Sequence, residues 1–415
     1  MTMLNDVADM LVGFAFKSAG FLDEDADGPR LVRGDNVQQG YLRWGDKTKR
    51  WSSADLDGLE RYQLAEGDVL LAMDRPIVGD GLKMAWVTQD DLPAMLVQRV
   101  CRLRGKPGIA RTEFLRYVLS APDFSAHIHR VTTGANIPHI SGRDIGSYEF
   151  ELPPLSDQDS VAHCLKAYDD LIATNQRRIA LLEQAARLLY REWFVQLRFP
   201  GHESVRVKLG VPEGWRMASI AEQASFLNRG IAPKYDDTAK GWVINQKCIR
   251  DGRISMAPAR RQSKDVKPDR LVRLGDVLIN STGAGTLGRV AQVRSHIDDC
   301  TVDTHVTIVR PSDSDASAYL GQALLNLEPV FSDMGKGATN QLELNRADIG
   351  DFKIWLPPEH VRVEFHRLIW PMLDQAEQLN VAILSLQKAR DLLLPKLMSG
   401  QLDVSRVPLP EEAAA

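Results

Sequence analysis

The chain has 415 residues, and 51 Lys and Arg against 55 Asp and Glu leave a net charge of −4. Hydrophobic residues are 44% and charged residues 26%, a composition that excludes disorder for most of the chain. At roughly 100–200 residues per domain, it has room for two to four domains. No apolar run approaches the ~18 residues of a membrane span. The acidic sum argues against a protein that coats nucleic acid nonspecifically, so any such contact must be local or shared with a partner.

Met1 to Phe14 lacks a basic n-region and carries Asp6 and Asp9, unlike a secretory signal. Cys101, Cys164, Cys248 and Cys300 lie far apart without a CxxC. This excludes a structural zinc ribbon and argues against a disulfide framework, so a reduced, cytoplasmic protein is expected. Arg43, Lys47, Lys49 and Arg50 form a small basic patch flanked by Trp44 and Trp51, aromatics that are more often core than base-stacking. Asp68 to Ala72 and Lys83 to Val87 read as strands, with a loop from Arg75 to Lys83 between them. His127 and His129 form an HxH without acidic or Cys neighbours and read as a surface pair rather than a metal site.

Leu152-Pro153-Pro154 stops this mixed segment, and a helical pattern without Gly follows. Leu165, Tyr168, Ile172, Asn175, Ile179, Leu182, Ala186, Leu189 and Trp193 recur in steps of three and four. Beyond it, Lys247 to Arg273 holds nine Lys and Arg against three acids, a local +6. Gly252 and Pro258 mark this stretch as turn and loop, suited to gripping phosphates with one or two Arg at guanine edges. Gly283 to Gly288 is a literal GxGxxG, but Arg289 to Val293 reads as strand. A dinucleotide site would need a helix to open there. A glycine-rich hairpin near DNA or a partner, or a plain tight turn, fits better. Lys336 and Asn340 are further loop candidates, since an amide reads adenine bidentately.

Leu356-Pro357-Pro358 is the second stop, followed by Ile369, Met372, Ala376, Leu379, Ile383, Leu386, Arg390, Leu393 and Leu397 at the same spacing. Pro371 is expected to kink or delay this helix and Pro395 to disturb its last turn.

The two halves repeat. Gly67 to Leu71 recurs as Gly275 to Ile279, Gly134-Ala135 as Gly337-Ala338, Asp144-Ile145-Gly146 as Asp348-Ile349-Gly350, and Leu152-Pro153-Pro154 as Leu356-Pro357-Pro358. Four collinear matches about 204 residues apart mean two copies of a whole module, too long for a solenoid unit. The seams could each lie on their own domain. A strict 3-4 stripe is narrower than the face a globular helix buries, which favours an antiparallel coiled coil between the two helices. A seam of 29 residues rises about 43 Å, or about 12 base pairs of duplex. That is the geometry of a bipartite DNA reader.

The duplicated Gly-Asp-Val-Leu strand, the loops Arg75 to Lys83 and Ser281 to Ala291, the two Leu-Pro-Pro stops, Asp157-Gln158 and the helices Ile179 to Phe194 and Ile383 to Gly400 together resemble the specificity subunit of type I restriction–modification systems. The resemblance covers nearly the whole chain. It implies a mixed α/β fold with two target-recognition domains, at 1–155 and 199–358. Spacer helices at 156–198 and 359–400 and a tail at 401–415 complete it. The implied partners are double-stranded DNA, two methyltransferase subunits that modify adenine N6, and two restriction subunits. S-adenosylmethionine, ATP and Mg would sit on those partners, with no cofactor, catalytic residue or metal on this chain. Copy two departs from the pattern with Glu359-His360 in place of the acidic-Gln pair, and with Arg390 in the seam where copy one has Ala186.

No GxxxxGK with a following Ser or Thr is present, no Asp/Asn/Ser-Pro-Pro-aromatic and no GxSxG. The candidate DNA contacts are therefore Arg43, Lys47, Lys49, Arg50, Arg75, Lys83, Lys247, Arg250, Arg253, Arg260, Arg261, Lys264, Arg289, Lys336 and Asn340. Their unequal distribution between the copies implies an asymmetric target. The rival reading is a tandem protein-interaction scaffold joined by a coiled coil.

Overall fold

A computed structural model describes all residues except 46, 80, 134–137, 336–341, 405, 406, 408 and 411–415. Contacts divide the chain into two units. Unit 1 comprises Met1–Ala173 with Leu384–Ala415, and unit 2 comprises Thr174–Ile383.

In unit 1 the strands of the central framework are β1 (Ala8–Val12), β2 (Arg30–Val32), β3 (Val69–Ala72), β4 (Met84–Trp86), β5 (Ala94–Leu96) and β6 (Val100–Gly105). They form a sheet in the order β1-β6-β3-β4 and a parallel pair β2-β5. In unit 2, β7 (Ala224–Arg229), β8 (Gly241–Ile244), β9 (Val277–Asn280), β10 (Val290–Gln292), β11 (Cys300–Val302) and β12 (Val306–Pro311) repeat the plan. The sheet order is β7-β12-β9-β10, and β8-β11 is the parallel pair. The registers also agree: Ala72 faces Val100, and Asn280 faces Val306.

Strand β3 and the first three residues of β9 read as unbroken apolar runs because both faces are covered. Successive side chains point to opposite faces. Val69 and Leu71 join the core under the helices α1 (Thr112–Ser120) and α2 (Pro122–Val131), while Leu70 and Ala72 join a second core under β5. In unit 2, Val277 and Ile279 face one core and Leu278 the other.

The structure explains why Gly-Asp recurs before these strands. Gly67 and Gly275 take φ of +84° and +86°, left-handed values that glycine adopts freely. The turn drops the next carboxylate into the sheet. Asp68 accepts Ala65 N–H at 2.8 Å and both Nε and Nη2 of Arg104. Asp276 accepts Arg273 N–H and, bidentately at 2.8 Å, Arg310. The two arginines occupy matching places on β6 and β12.

Two long helices follow the Leu-Pro-Pro stops: α3 (Leu155–Tyr190), extended by a π-helical turn Arg191–Val195, and, beyond the shorter helices α4 (Ser317–Asn326) and α5 (Glu328–Asp333), α6 (Glu359–Met398). In unit 1, Val161, Cys164, Leu165 and Tyr168 share a core with Leu394 and Leu397. In unit 2, Ala186 and Trp193 share one with Val361, Phe365, Ile369 and Leu373. Each unit joins one end of α3 to the opposite end of α6, so the pair is antiparallel. Among the seam residues Leu165, Tyr168, Ile172, Ile179, Trp193, Ile369, Leu379, Ile383 and Leu397 are buried.

The other expected seam residues, Leu182, Leu189, Met372, Leu386 and Leu393, are half-buried, and all but Leu182 pack against these cores. Glu183, Leu373 and Leu394 are buried one position beyond Leu182, Met372 and Leu393. A helix of 3.6 residues per turn drifts from a 3.5 repeat, and each helix also packs on its own unit, so the buried face is wider than a stripe. The effect expected of Pro371 and Pro395 is corrected. Helix α6 begins at Glu359 and runs past both to Met398. Its packing outweighs the single backbone hydrogen bond each proline forfeits.

The departure at Arg390 has a partner. Its Nη1 donates to Asp169 at 2.7 Å, and Asp169 also receives Arg116 and the Tyr117 hydroxyl. Unit 2 builds the same device around Glu183, which holds Arg253 through two bonds and Arg294 at 2.6 Å. Burial pushes the Glu183 carboxyl up, but the guanidiniums of Arg253 and Arg294 outweigh it and hold the group below the usual range. A lowered carboxylate contributes stability above its unfolded pKa, about 4.3, and loses it as pH falls through the folded value. Glu183→Ala is expected to destabilise unit 2 by about 3 kcal/mol, because Arg294 stays buried without its charge partner. Urea unfolding at pH 7 measures this, and the deficit should shrink toward pH 3.

Candidate nucleic-acid interface

The expected cations separate into free and committed groups. In unit 1, Lys49 pairs with Asp23 at 2.5 Å. Arg50 donates to the Glu24 and Gly28 carbonyls. Both therefore hold their own loop. Trp44 donates to Asp91 at 2.7 Å and packs on a core, as Trp51 does against Phe16. Lys47 is exposed. Arg43 and Arg75 are exposed and Lys83 is half-buried. Burial lowers the Lys83 ammonium, Asp35 and Asp74 oppose that, and the nearby charges of Arg43 and Arg75 add to it.

The +6 stretch of unit 2 is not one gripping loop. It folds as a hairpin, Ile249–Arg250 against Arg253–Ile254, and then a strand Arg260–Gln262 on β8. Arg253 is held by Glu183, with 42% of its side chain still exposed. Arg260 lies 3.7 Å over the Tyr235 ring and Arg261 3.6 Å over Trp242. Lys264 donates to the Ala232 carbonyl. Lys247 is exposed, and Arg250 meets only its neighbour Asp251 among the ion pairs of the described residues. Lys336 and Asn340 lie outside the described residues. The GxGxxG segment is a loop between the antiparallel strands β9 and β10, so no helix opens there. Arg289 leaves this loop with its guanidinium on the Gly285 carbonyl.

Backbone hydrogen bonds show which positions match. Ala72 N–H donates to Lys83 O and Asn280 N–H to Arg289 O, both at 2.9 Å. Met73 N–H donates to Arg99 O and Ser281 N–H to His305 O, both at 2.8 Å. Ile140 N–H donates to Met73 O and Leu344 N–H to Ser281 O. Bridges join Asp74 to His139 and Thr282 to Glu343. Each unit therefore ends its sheet in the same rim, built from the segments after β3 or β9, before β4 or β10, before β6 or β12, and one later loop.

The rim side chains differ. In unit 1, His139 Nδ1 lies 2.7 Å from Asp74, and Arg99 lies 3.5 Å from the same carboxylate. In unit 2, Thr282 Oγ1 lies 2.6 Å from His305 Nδ1, and Arg229 pairs with Glu343 at 2.6 Å. Arg99, His139, His305, Glu343 and Arg229 were absent from the expected set, which followed clusters of charge. The repeat offsets, 208 after Gly67 and 204 before Leu152, do align Asp74 with Thr282 and His139 with Glu343.

Two expected features are structural. Gln158 is fully buried, accepts Arg111 N–H and donates to the Ile109 and Pro153 carbonyls. His127 is buried rather than on the surface, with its Nε2 on the Asp144 carbonyl, while His129 is exposed. The four thiols are free and buried; burial pushes Cys101 and Cys300 up to about 12. No described helix is long and apolar enough to cross a membrane.

Residues 4–184 match the type I restriction modification DNA specificity domain. The chain is 24% identical over 312 residues to the type I restriction enzyme MjaIX specificity subunit of Methanocaldococcus jannaschii, covering 73% of this chain and 71% of that protein. It is 33% identical over 173 residues to the type I restriction enzyme EcoAI specificity subunit of Escherichia coli, covering 41% of this chain and 28% of that protein. The solved S subunit of the type I restriction-modification system from M. genitalium shares the fold, with a TM-score of 0.60 at 14% identity over 96% of this chain and 95% of that one.

Proposed function

We propose that the chain, whose residues 4–184 match the type I restriction modification DNA specificity domain, is the non-catalytic DNA reader of a cytoplasmic type I complex. Each unit takes one half of a split duplex site in the major groove through its rim. The paired helices set the spacing of the halves and offer docking surfaces to two methyltransferase subunits. Those subunits would bring S-adenosylmethionine and methylate adenine N6. Two restriction subunits would bring ATP- and Mg-dependent translocation and cleavage. Partners closing around the duplex would supply the positive charge that a chain of net −4 lacks.

The observation that carries this reading is one backbone framework built twice with different side chains at its rim. Different rims read different half-sites, so the target is bipartite and asymmetric. Sequencing N6-methyladenine in the source organism, with the gene intact and deleted, tests it. One split, non-palindromic motif should lose methylation. A palindromic motif would overturn the asymmetry.

The purified chain is expected to bind DNA weakly, with affinity falling steeply between 50 and 200 mM salt, and far more tightly once the methyltransferase is added. Tight specific binding by the chain alone would contradict the shared-charge argument. Salt-independent binding to protein, with none to DNA, would favour the interaction scaffold.

A further inference from the structure

Base recognition needs side chains that are exposed, held in one geometry and free to differ between readers. The phosphate-gripping part needs only charge. Among the described residues, the rim of each unit contains a group that is exposed and held in one geometry, with different side chains in the two units. We propose that the triads Asp74–Arg99–His139 and Thr282–His305–Glu343 are the base-reading elements of the two half-sites, an inference that rests on the DNA-reading function above.

The geometry is the same in both units. The first member follows the buried strand β3 or β9 by two residues. The second immediately precedes β6 or β12, and the third bridges back to the first. Their backbones are fixed by the same hydrogen bonds. Arg99 is held at φ +71°, a conformation uncommon for a residue with a side chain. Its side chain stays 57% exposed, while Asp74 lies beside it at 35%. A pre-set guanidinium next to a carboxylate acceptor matches the O6 and N7 acceptors of guanine and the N4 amine of cytosine. In unit 2, the Thr282 hydroxyl fixes the exposed His305 ring, and Arg229 fixes the Glu343 carboxylate. Glu343 then offers acceptors for a cytosine amine, and the imidazole offers a single donor or acceptor.

The neighbouring cations serve a different purpose. Arg43, Arg75 and Lys83 in unit 1, and Arg289 in unit 2, flank the triads as backbone contacts. They fix the register on the duplex and carry no sequence information.

The test uses the assembled methyltransferase in a host that lacks N6-adenine methylation, with the motif read by methylation sequencing. Arg99→Lys keeps the charge and removes the fork. His305→Gln keeps a polar side chain of similar reach. Each variant is expected to lose roughly tenfold or more of its discrimination at one position, in its own half of the motif, leaving the other half unchanged. Lys83→Ala should instead lower methylation at all sites without relaxing any position. A wild-type complex that yields no split motif would overturn the DNA-reading function itself. A wild-type motif that neither Arg99→Lys nor His305→Gln relaxes would overturn the triads alone. Uniform loss in both variants would reassign Arg99 and His305 to backbone contact and also overturn the proposal.

Discussion

Asp276→Ala is expected to cost unit 2 about 3–5 kcal/mol, against the roughly 5–15 kcal/mol of an ordinary domain. Asp276 is fully buried, and its partner Arg310 keeps only 10% of its side-chain surface exposed. Removing the carboxylate strands a guanidinium under the sheet. The matching change Asp68→Ala should cost clearly less, because Arg104 is 35% exposed and turns to water more easily. Replacing both members, as Asp276→Leu with Arg310→Met, should recover much of the loss, since an apolar pair carries no stranded charge. Hydrogen exchange read separately along β3 and β9 in the full chain measures both sites. Equal losses in the two units would show that burial does not set the cost.

Lengthening the helix pair should change the target itself. Seven residues inserted after Arg177 in α3 and seven after Val381 in α6 add one heptad to each strand of the pair. At ~1.5 Å per residue they add about 10 Å, or about three base pairs of duplex. The methylated motif should keep both half-sites and gain that gap. Insertions of four residues should instead rotate the seam and abolish modification. Asn175 sets the tolerance of this experiment. It is fully buried among apolar seam residues, and its amide has no hydrogen-bond partner among the described residues. One polar residue in a seam favours a single register, so the inserted heptads should leave its surroundings intact. An unchanged motif would refute the spacer role.

Some of this molecule is legible in linear order. The Gly-Asp turn, the apolar strand after it and the Leu-Pro-Pro stop announce themselves twice, and each proves to be framework. The loop nature of the GxGxxG segment also follows from its neighbours, because a strand pattern after it leaves no helix to open. The helix pair is legible in its existence and sense. Its seam is legible only to within one residue, since Glu183, Leu373 and Leu394 are buried where Leu182, Met372 and Leu393 were expected.

The sequence by itself determined the duplication, the strand framework and the two long helices. All of these are written in spacing, and spacing is carried by residues near one another along the chain. Only the tertiary structure decided which cations face outward. Arg253 is spent on a carboxylate 70 residues away, and Arg294 reaches the same carboxylate across 111. Arg50 closes its own loop, whereas Arg99, outside the two basic stretches singled out in the sequence, stands on the rim. A guanidinium has the same charge in the chain wherever it lies. Whether it meets water, a carbonyl or a buried acid is set by atoms that only folding brings to it, and that decides its role.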